Sequence, residues 1–157
     1  MRKQVLACGV AALVLAGCAA SGGQVGLVVL ETPQYQRGER SVPRTFVQMQ
    51  QAVFKQQASC GSTIQFAVDQ NQPSYARISM RLSGATGEKT EQDWSHTLVL
   101  GVQMLEGRPA RGRYYSYYPV TRAQMDVLYN AVVYPQVCPG QPIPADLLSP
   151  KGEETQD

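Results

Sequence analysis

The pattern of apolar and polar residues along the middle of the chain predicts four strands. In residues 64–68 and 77–82 every second side chain is apolar, which places one face of each strand toward a core and the other toward solvent. Residues 94–105 form a longer and more apolar run, as expected for a central strand. Gly107-Arg108-Pro109 is a turn signal, so residues 111–118 are predicted to return as the second strand of a hairpin.

Two other segments show helical periodicity. The first runs from Pro43 to Ala58, with the proline in the first turn, where its missing N–H costs nothing. The second opens at Thr121, which forms a predicted capping box with Gln124, and it ends before Pro135. Their apolar stripes are Phe46, Met49, Val53 and Phe54 in the first helix, and Met125, Leu128, Tyr129, Val132 and Val133 in the second.

An apolar run, Val25–Leu30, precedes these elements. Its continuous apolar character predicts a strand buried on both faces, and the polar, turn-prone residues 31–42 predict a loop after it. The predicted order is therefore strand, helix, four strands and helix. We expect an α+β fold, a mainly antiparallel sheet of about five strands with two helices packed on one face.

The first eighteen residues have the parts of an export signal. Arg2 and Lys3 precede an uncharged apolar run that is too short to span a bilayer, and small residues follow it. The segment Leu15-Ala16-Gly17-Cys18 resembles the lipobox of bacterial lipoprotein precursors. This resemblance implies cleavage before Cys18, lipid on its thiol and on the new amino group, and anchoring in a membrane.

The residue after the lipobox bears on the location. Ala19, in place of an aspartate, resembles the pattern that sends lipoproteins of enterobacteria to the outer membrane. In a Gram-negative cell the chain is then expected in the envelope, held by lipid at the outer membrane and facing the periplasm.

Length and charge bound the exported part. Removal of residues 1–17 from the 157 leaves 140, a length that suits one domain. The whole chain has 14 basic and 12 acidic residues, but two of the bases leave with the signal, so the mature part is formally neutral. We therefore predict no nucleic-acid partner. The predicted organisation is a signal peptide at 1–17, a lipidated cysteine with a flexible spacer at 18–24, a single α+β domain at 25–140, and a proline-rich, then acidic, disordered tail at 141–157.

The cysteines indicate one disulfide. Cys8 leaves with the signal and Cys18 takes the lipid, so Cys60 and Cys138 remain. In an oxidising envelope compartment two such cysteines predict a bond between them. The alternatives are two buried free thiols or a metal site, and a metal site would need further ligands although His96 is the single histidine.

Catalytic signals are weak. Asp93 and Ser95 stand beside His96, yet Ser95 and His96 would point to opposite faces of a regular strand. The exported sequence contains no glycine-rich phosphate loop, HExxH helix or paired-cysteine metal signature. We predict that the protein is not an enzyme and uses no cofactor or metal.

Residues 108–122 combine four arginines with four tyrosines and contain no acidic residue. On a strand, Arg111, Arg113, Tyr115 and Tyr117 would share one face. Arginine and tyrosine are over-represented at binding hot spots, so these residues form the candidate binding surface. The alternative is that the tyrosines pack beneath the helices and the arginines are ordinary solvated side chains.

These observations support a non-enzymatic envelope lipoprotein that acts as a binding or accessory subunit of a secretion, pilus or envelope-assembly system. The second hypothesis is a module that binds cell-wall glycan or anionic lipid with the same strand. A small hydrolase is the third. Both leading hypotheses place the membrane contact at the N-terminal lipid, and the first adds a protein partner in the envelope.

Overall fold

The computed structural model describes residues 24–83 and 93–148. Its helices are α1 (Leu27–Leu30), a 3₁₀ turn (Pro33–Tyr35), α2 (Phe46–Cys60), α3 (Arg122–Val133) and α4 (Ala145–Leu148). Its strands are β1 (Gln36–Val42), β2 (Gln65–Val68), β3 (Tyr75–Arg81), β4 (Thr97–Leu105) and β5 (Arg108–Tyr115). None of the helices in these residues is long and apolar enough to cross a membrane.

The strands form one sheet in the order β1-β5-β4-β3-β2, and every pairing is antiparallel. Strands β2 to β5 follow one another as a meander, while β1 joins the far side of β5, so that Val42 pairs with Ala110. The predicted α+β class, with a mainly antiparallel sheet and two helices on one face, is confirmed.

The helices α2 and α3 cover one face of the sheet, called here the helix face. Alternate residues of the central strands point to it, including the fully buried Ile78, Leu98 and Leu100. Met49 of α2 and Leu128 of α3 pack onto them and are also fully buried. Burial of such side chains contributes about 1.5–3 kcal/mol each, so this face supplies most of the apolar stabilisation.

The N-terminal residues 24–35, called here the strap, lie across the opposite face, which we call the strap face. Val25 and Leu30 of the strap pack on Val99 and Tyr115, a cross-strand pair of β4 and β5. The strap ends beside the end of β5, where the Ser116 amide donates to the carbonyl of Tyr35 (3.0 Å), and the chain continues into β1. The strap therefore covers only part of this face.

Both long helices begin with a capping box. The Thr121 hydroxyl accepts from the Gln124 amide while the Gln124 side chain accepts from the Thr121 amide, as predicted. The first helix starts later than predicted, at Phe46, because Thr45 and Gln48 form the same pair there. Its C-terminus is at Gly61, whose φ of 63° suits glycine.

A disulfide joins Cys60 and Cys138, as predicted, with 5.4 Å between the Cα atoms. It links the C-terminal end of α2 to the segment that follows α3, across a sequence separation of 78 residues. Beside it, the fully buried Gln56 donates from Nε2 to the carbonyl of Val137 (3.1 Å). One covalent link and one hydrogen bond therefore hold the ends of the two helices together.

The first strand lies in another segment from the predicted one, and that prediction was wrong. Residues Val25–Leu30 form the start of the strap and α1, because Val25 and Leu30 pack onto a sheet face and not within the sheet. Strand β1 lies inside the predicted loop 31–42. It is an edge strand with only Val42 buried, and charged residues on an edge strand hide the alternation of a half-buried strand.

Smaller corrections concern the apolar stripe of α2 and the strand ends. Phe54 was predicted to join the apolar stripe of α2 but is 56% exposed. Strand β4 begins at Thr97 and β5 ends at Tyr115, both shorter than predicted at that end of the sheet. The signal peptide, Cys18 and the end of the acidic tail lie outside the described residues, and the described part of the predicted tail includes α4.

Candidate functional site

Two arginines stand side by side on β5, at the part of the strap face that the strap leaves open. Arg111 and Arg113, called here the arginine pair, lie two residues apart, so both side chains point to this face. Glu39 of β1 accepts from both, at 2.6 Å from Nε of Arg111 and 3.2 Å from Nε of Arg113. Only Nε of each guanidinium is used in these two bonds, and a guanidinium carries five N–H donors in all.

The electrostatics of this group favour a fixed, charged arrangement. The hydrogen bond from Arg111, followed by that from Arg113, holds the pKa of the Glu39 carboxyl below its usual value. The same contact raises the pKa of Arg113, and its neighbour Tyr115 adds to the effect. The side chains remain accessible, with 50% exposure for Arg111 and 42% for Arg113. Exposed ion pairs contribute only about 0–1 kcal/mol, so stability gives little reason for this group.

Two hollows adjoin the arginine pair. The smaller, of about 120 Å³, lies over Gly101 of β4 and is lined by Tyr75, Gln103, Leu105, Arg111, Arg113 and Tyr115. The larger, of about 460 Å³, is open to solvent along the β4–β5 hairpin. Arg111 and Leu105 line both. The site is therefore an open surface with charged side chains at its centre.

The two predicted tyrosines of the site occupy different places. Tyr115 shares the face of the arginine pair but is only 6% exposed, because Val25 and Leu30 of the strap pack on it. Tyr117 lies beyond the end of β5, so strand alternation does not place it with the arginines. Its ring stacks on Tyr35, with the centroids 5.2 Å apart.

A second charged group lies beneath the strap. Arg77 of β3 donates from Nε and Nη2 to the Glu31 carboxylate (2.7 and 2.9 Å) and from Nη1 to Asp69 (2.6 Å). The Tyr75 hydroxyl also donates to Glu31 (2.8 Å). These three ionic side chains are only 15–20% exposed. The hydrogen bonds that Arg77 donates to Glu31 and Asp69 raise the pKa of its guanidinium. Because Glu31 belongs to the strap, the group fastens the strap to the sheet.

This fastening requires a glycine at position 101. Arg77 pairs with Gly101 in the register of β3 and β4, and the Tyr75 hydroxyl lies over the glycine. A Cβ at position 101 would overlap that hydroxyl. Gly101 therefore makes room for the tyrosine that meets the strap.

His96 lies in the turn before β4, so the argument from strand alternation does not apply to it. Its ring packs on Tyr118, with the centroids 5.0 Å apart. Asp93 accepts from the Ser95 amide (3.0 Å) and from the Val25 amide (3.2 Å), and these bonds keep its pKa below the usual value. The described contacts of these residues anchor the strap and the start of β4.

Glu39 is the site residue that the sequence interpretation missed, because it fell in the predicted loop. The signal for it was the alternation of charges in Arg37-Gly38-Glu39-Arg40, which is typical of an edge strand. Within residues 24–83 and 93–148, no group of three or more histidine, cysteine or acidic side chains is arranged to hold a metal ion.

No protein-family model matches this chain, and comparisons with curated proteins and with solved structures found no match.

Proposed function

We propose that this chain is a lipid-anchored envelope protein that acts, without catalysis, as a binding or accessory subunit of a secretion, pilus or envelope-assembly system. The proposed location at the envelope rests on the resemblance of residues 15–18 to a lipobox and on the export signal before them. The partner contact is the arginine pair with the two hollows beside it.

The observation that carries this proposal is the accessible pair of arginines at Glu39. Each guanidinium has planar N–H edges that match a carboxylate in two parallel hydrogen bonds. Arginine is enriched among the residues that dominate binding free energy. Because Glu39 orients both side chains in advance, less conformational entropy is lost when a partner binds. A partner that presents aspartate or glutamate side chains fits this surface.

The position on the sheet supports the same use. The arginine pair is on β5, which is hydrogen-bonded on both sides, to β1 and to β4. A side chain on such a strand is held more precisely than one on a loop. The open hollows offer a surface to another protein and enclose little of a small molecule.

Capture of the partner by the mature lipidated protein tests this proposal. The double variant Arg111→Gln/Arg113→Gln is expected to weaken binding by about 2 kcal/mol or more, which is roughly 30-fold in affinity. Capture from detergent-solubilised envelope is measured by quantitative mass spectrometry, and it is expected to fall as salt is raised, since exposed charges are screened.

Arg122→Gln is the matched control, because it removes an exposed arginine at the start of α3, outside the pair and both hollows. It is expected to leave capture unchanged. Unchanged capture by the double variant, or an equal loss with Arg122→Gln, would rule out the arginine pair as the contact. The same proteins are mixed with purified cell-wall glycan and with anionic vesicles. Binding to either one that depends on the pair would favour the second hypothesis.

A further inference from the structure

Four ring side chains cluster at one end of the sheet, where β5 ends and β4 begins. We call Tyr35, His96, Tyr117 and Tyr118 the aromatic end. Tyr117 contacts Tyr35 at a centroid distance of 5.2 Å and Tyr118 at 5.1 Å, and Tyr118 contacts His96 at 5.0 Å. Tyr117 is 38% exposed and Tyr118 is 43% exposed, so the cluster opens to the surface.

The strap enters the fold at this same end. The Trp94 amide donates to the carbonyl of Val25 (2.8 Å), and Val25 donates to Asp93 (3.2 Å). Trp94 is two residues from His96 of the aromatic end. Six residue steps separate Cys18 from Gln24, the first described residue, and even fully extended they span at most about 21 Å. Lipid on Cys18 would therefore keep this end of the domain close to a bilayer.

The chemistry of the surface suits the interface between lipid and water. Tyrosine and tryptophan are enriched at that depth, because an apolar ring and a polar group are both satisfied there. On the outer side of the strap, Val28 is 84% exposed and Val29 is 50% exposed. Arg37 donates to the carbonyls of Ser116 (2.9 Å) and Tyr117 (2.9 Å), which places a cation beside the rings, where lipid phosphates would lie.

We propose that the aromatic end is a membrane-docking surface, which rests against the phospholipid interface that holds the anchor. This inference rests on the proposed lipid anchor and goes beyond it, since an acyl anchor alone leaves the orientation of the domain free. Docking at this end points the β4–β5 hairpin away from the bilayer. Arg113 and Arg111 lie two and four residues before the end of β5 at Tyr115, about 7 and 13 Å along the strand, so the arginine pair stays above the docked end and accessible to a partner.

Trp94 provides the measurement, because it is the single tryptophan and packs at this end. The mature lipidated protein is reconstituted in phosphatidylethanolamine–phosphatidylglycerol vesicles that contain lipid with a nitroxide near the headgroup. Quenching of Trp94 fluorescence is compared with that of Trp94→Phe/Leu105→Trp, which moves the fluorophore to the exposed hairpin. We expect Trp94 to be quenched several-fold more strongly. Equal quenching at the two positions would overturn the docking proposal. This comparison leaves every tyrosine of the aromatic end unchanged.

The tyrosines are then tested directly. Tyr117→Ser/Tyr118→Ser is expected to reduce Trp94 quenching by severalfold while flotation with the vesicles is unchanged. Phe54→Ser removes an exposed aromatic side chain from α2 and is expected to leave quenching unchanged. Circular dichroism melts verify that each variant is folded. Quenching that is indifferent to the tyrosine pair would contradict the docking.

Flotation separates the two proposals. Cys18→Ser is expected not to float, because it lacks the acyl acceptor. Flotation of the wild type without selective quenching of Trp94 rejects the docking surface and leaves the anchor. Absence of flotation for the wild type rejects the anchor, and the docking with it.

Discussion

The two faces of the sheet are held by different kinds of contact. On the helix face, α2 and α3 cover an apolar cluster in which Ile78, Leu100 and Leu128 are fully buried. On the strap face, a small apolar cluster around Leu30 is joined to a charged group centred on Arg77. Apolar burial scales with covered area, so the helix face dominates stability. The strap face leaves charged side chains accessible.

This difference separates stability from recognition. The polar groups of the strap face contribute little to folding where they are exposed, as at the arginine pair, and more where they are covered, as at Arg77. The strap also continues toward the predicted lipid anchor. The strap face therefore lies between the proposed lipid anchor and the candidate partner surface.

The largest expected effect is on the free energy of unfolding, when a buried leucine on each face is replaced by alanine. Leu100 and Leu30 are both fully buried, the first on the helix face and the second where the strap packs on the strap face. Leu100→Ala should lower the free energy of unfolding by about 2–5 kcal/mol. Leu30→Ala should lower the free energy of unfolding less, because this substitution can remove at most the free energy that holds the strap on the sheet.

Urea unfolding followed by far-UV circular dichroism and by Trp94 fluorescence measures both variants. For Leu100→Ala the two transitions should shift together, as in a two-state reaction. For Leu30→Ala the fluorescence transition should come first, because Trp94 packs with the strap. Equal losses and coincident transitions for both variants would show that the two faces unfold as one unit.

An intermediate effect is expected from the charged group under the strap. Arg77→Met removes the donor shared by Glu31 and Asp69 and leaves two poorly solvated carboxylates. The free energy of unfolding should fall by about 1–3 kcal/mol. The control Arg111→Met removes an exposed arginine and should change stability by less than about 0.5 kcal/mol. Similar losses for the two variants would contradict the contrast between covered and exposed arginines.

The smallest expected effect is a weaker attachment of the strap at low pH. The side-chain bond from Arg77, then the backbone bond from Asn71, holds the pKa of Asp69 below its ordinary value of about 4. A carboxyl with a lowered folded-state pKa contributes stability above its unfolded pKa, and that contribution is lost as the pH falls through the folded pKa. Below about pH 4 we expect Arg77 to lose its bond to Asp69 and to hold Glu31 of the strap less firmly, seen as a change in Trp94 fluorescence. The change should be smaller in Arg77→Met, and an identical acid response there would remove Asp69 as its cause.

Local patterns determined much of the fold without the structure. Alternation predicted β2 and β3, a long apolar run predicted β4, and a turn signal predicted its return as β5. The Thr121–Gln124 capping box predicted the start of α3, because a capping box is closed within four residues. The disulfide followed from counting, since Cys60 and Cys138 were the two cysteines left. The same local patterns failed for β1, where charges required by an edge position outweigh the alternation of a buried strand.

The sequence by itself determined the class of fold, the disulfide and the expectation of a lipid anchor, because periodicity, cysteine number and a contiguous motif are all properties of short segments. Only the tertiary structure decided which charges meet. Glu39 joins Arg111 and Arg113 across 72 and 74 residues, and Glu31 reaches Arg77 across 46. These contacts depend on the register of β1 with β5 and on the path of the strap. Register is set when the whole sheet packs against its helices, so no single segment encodes it.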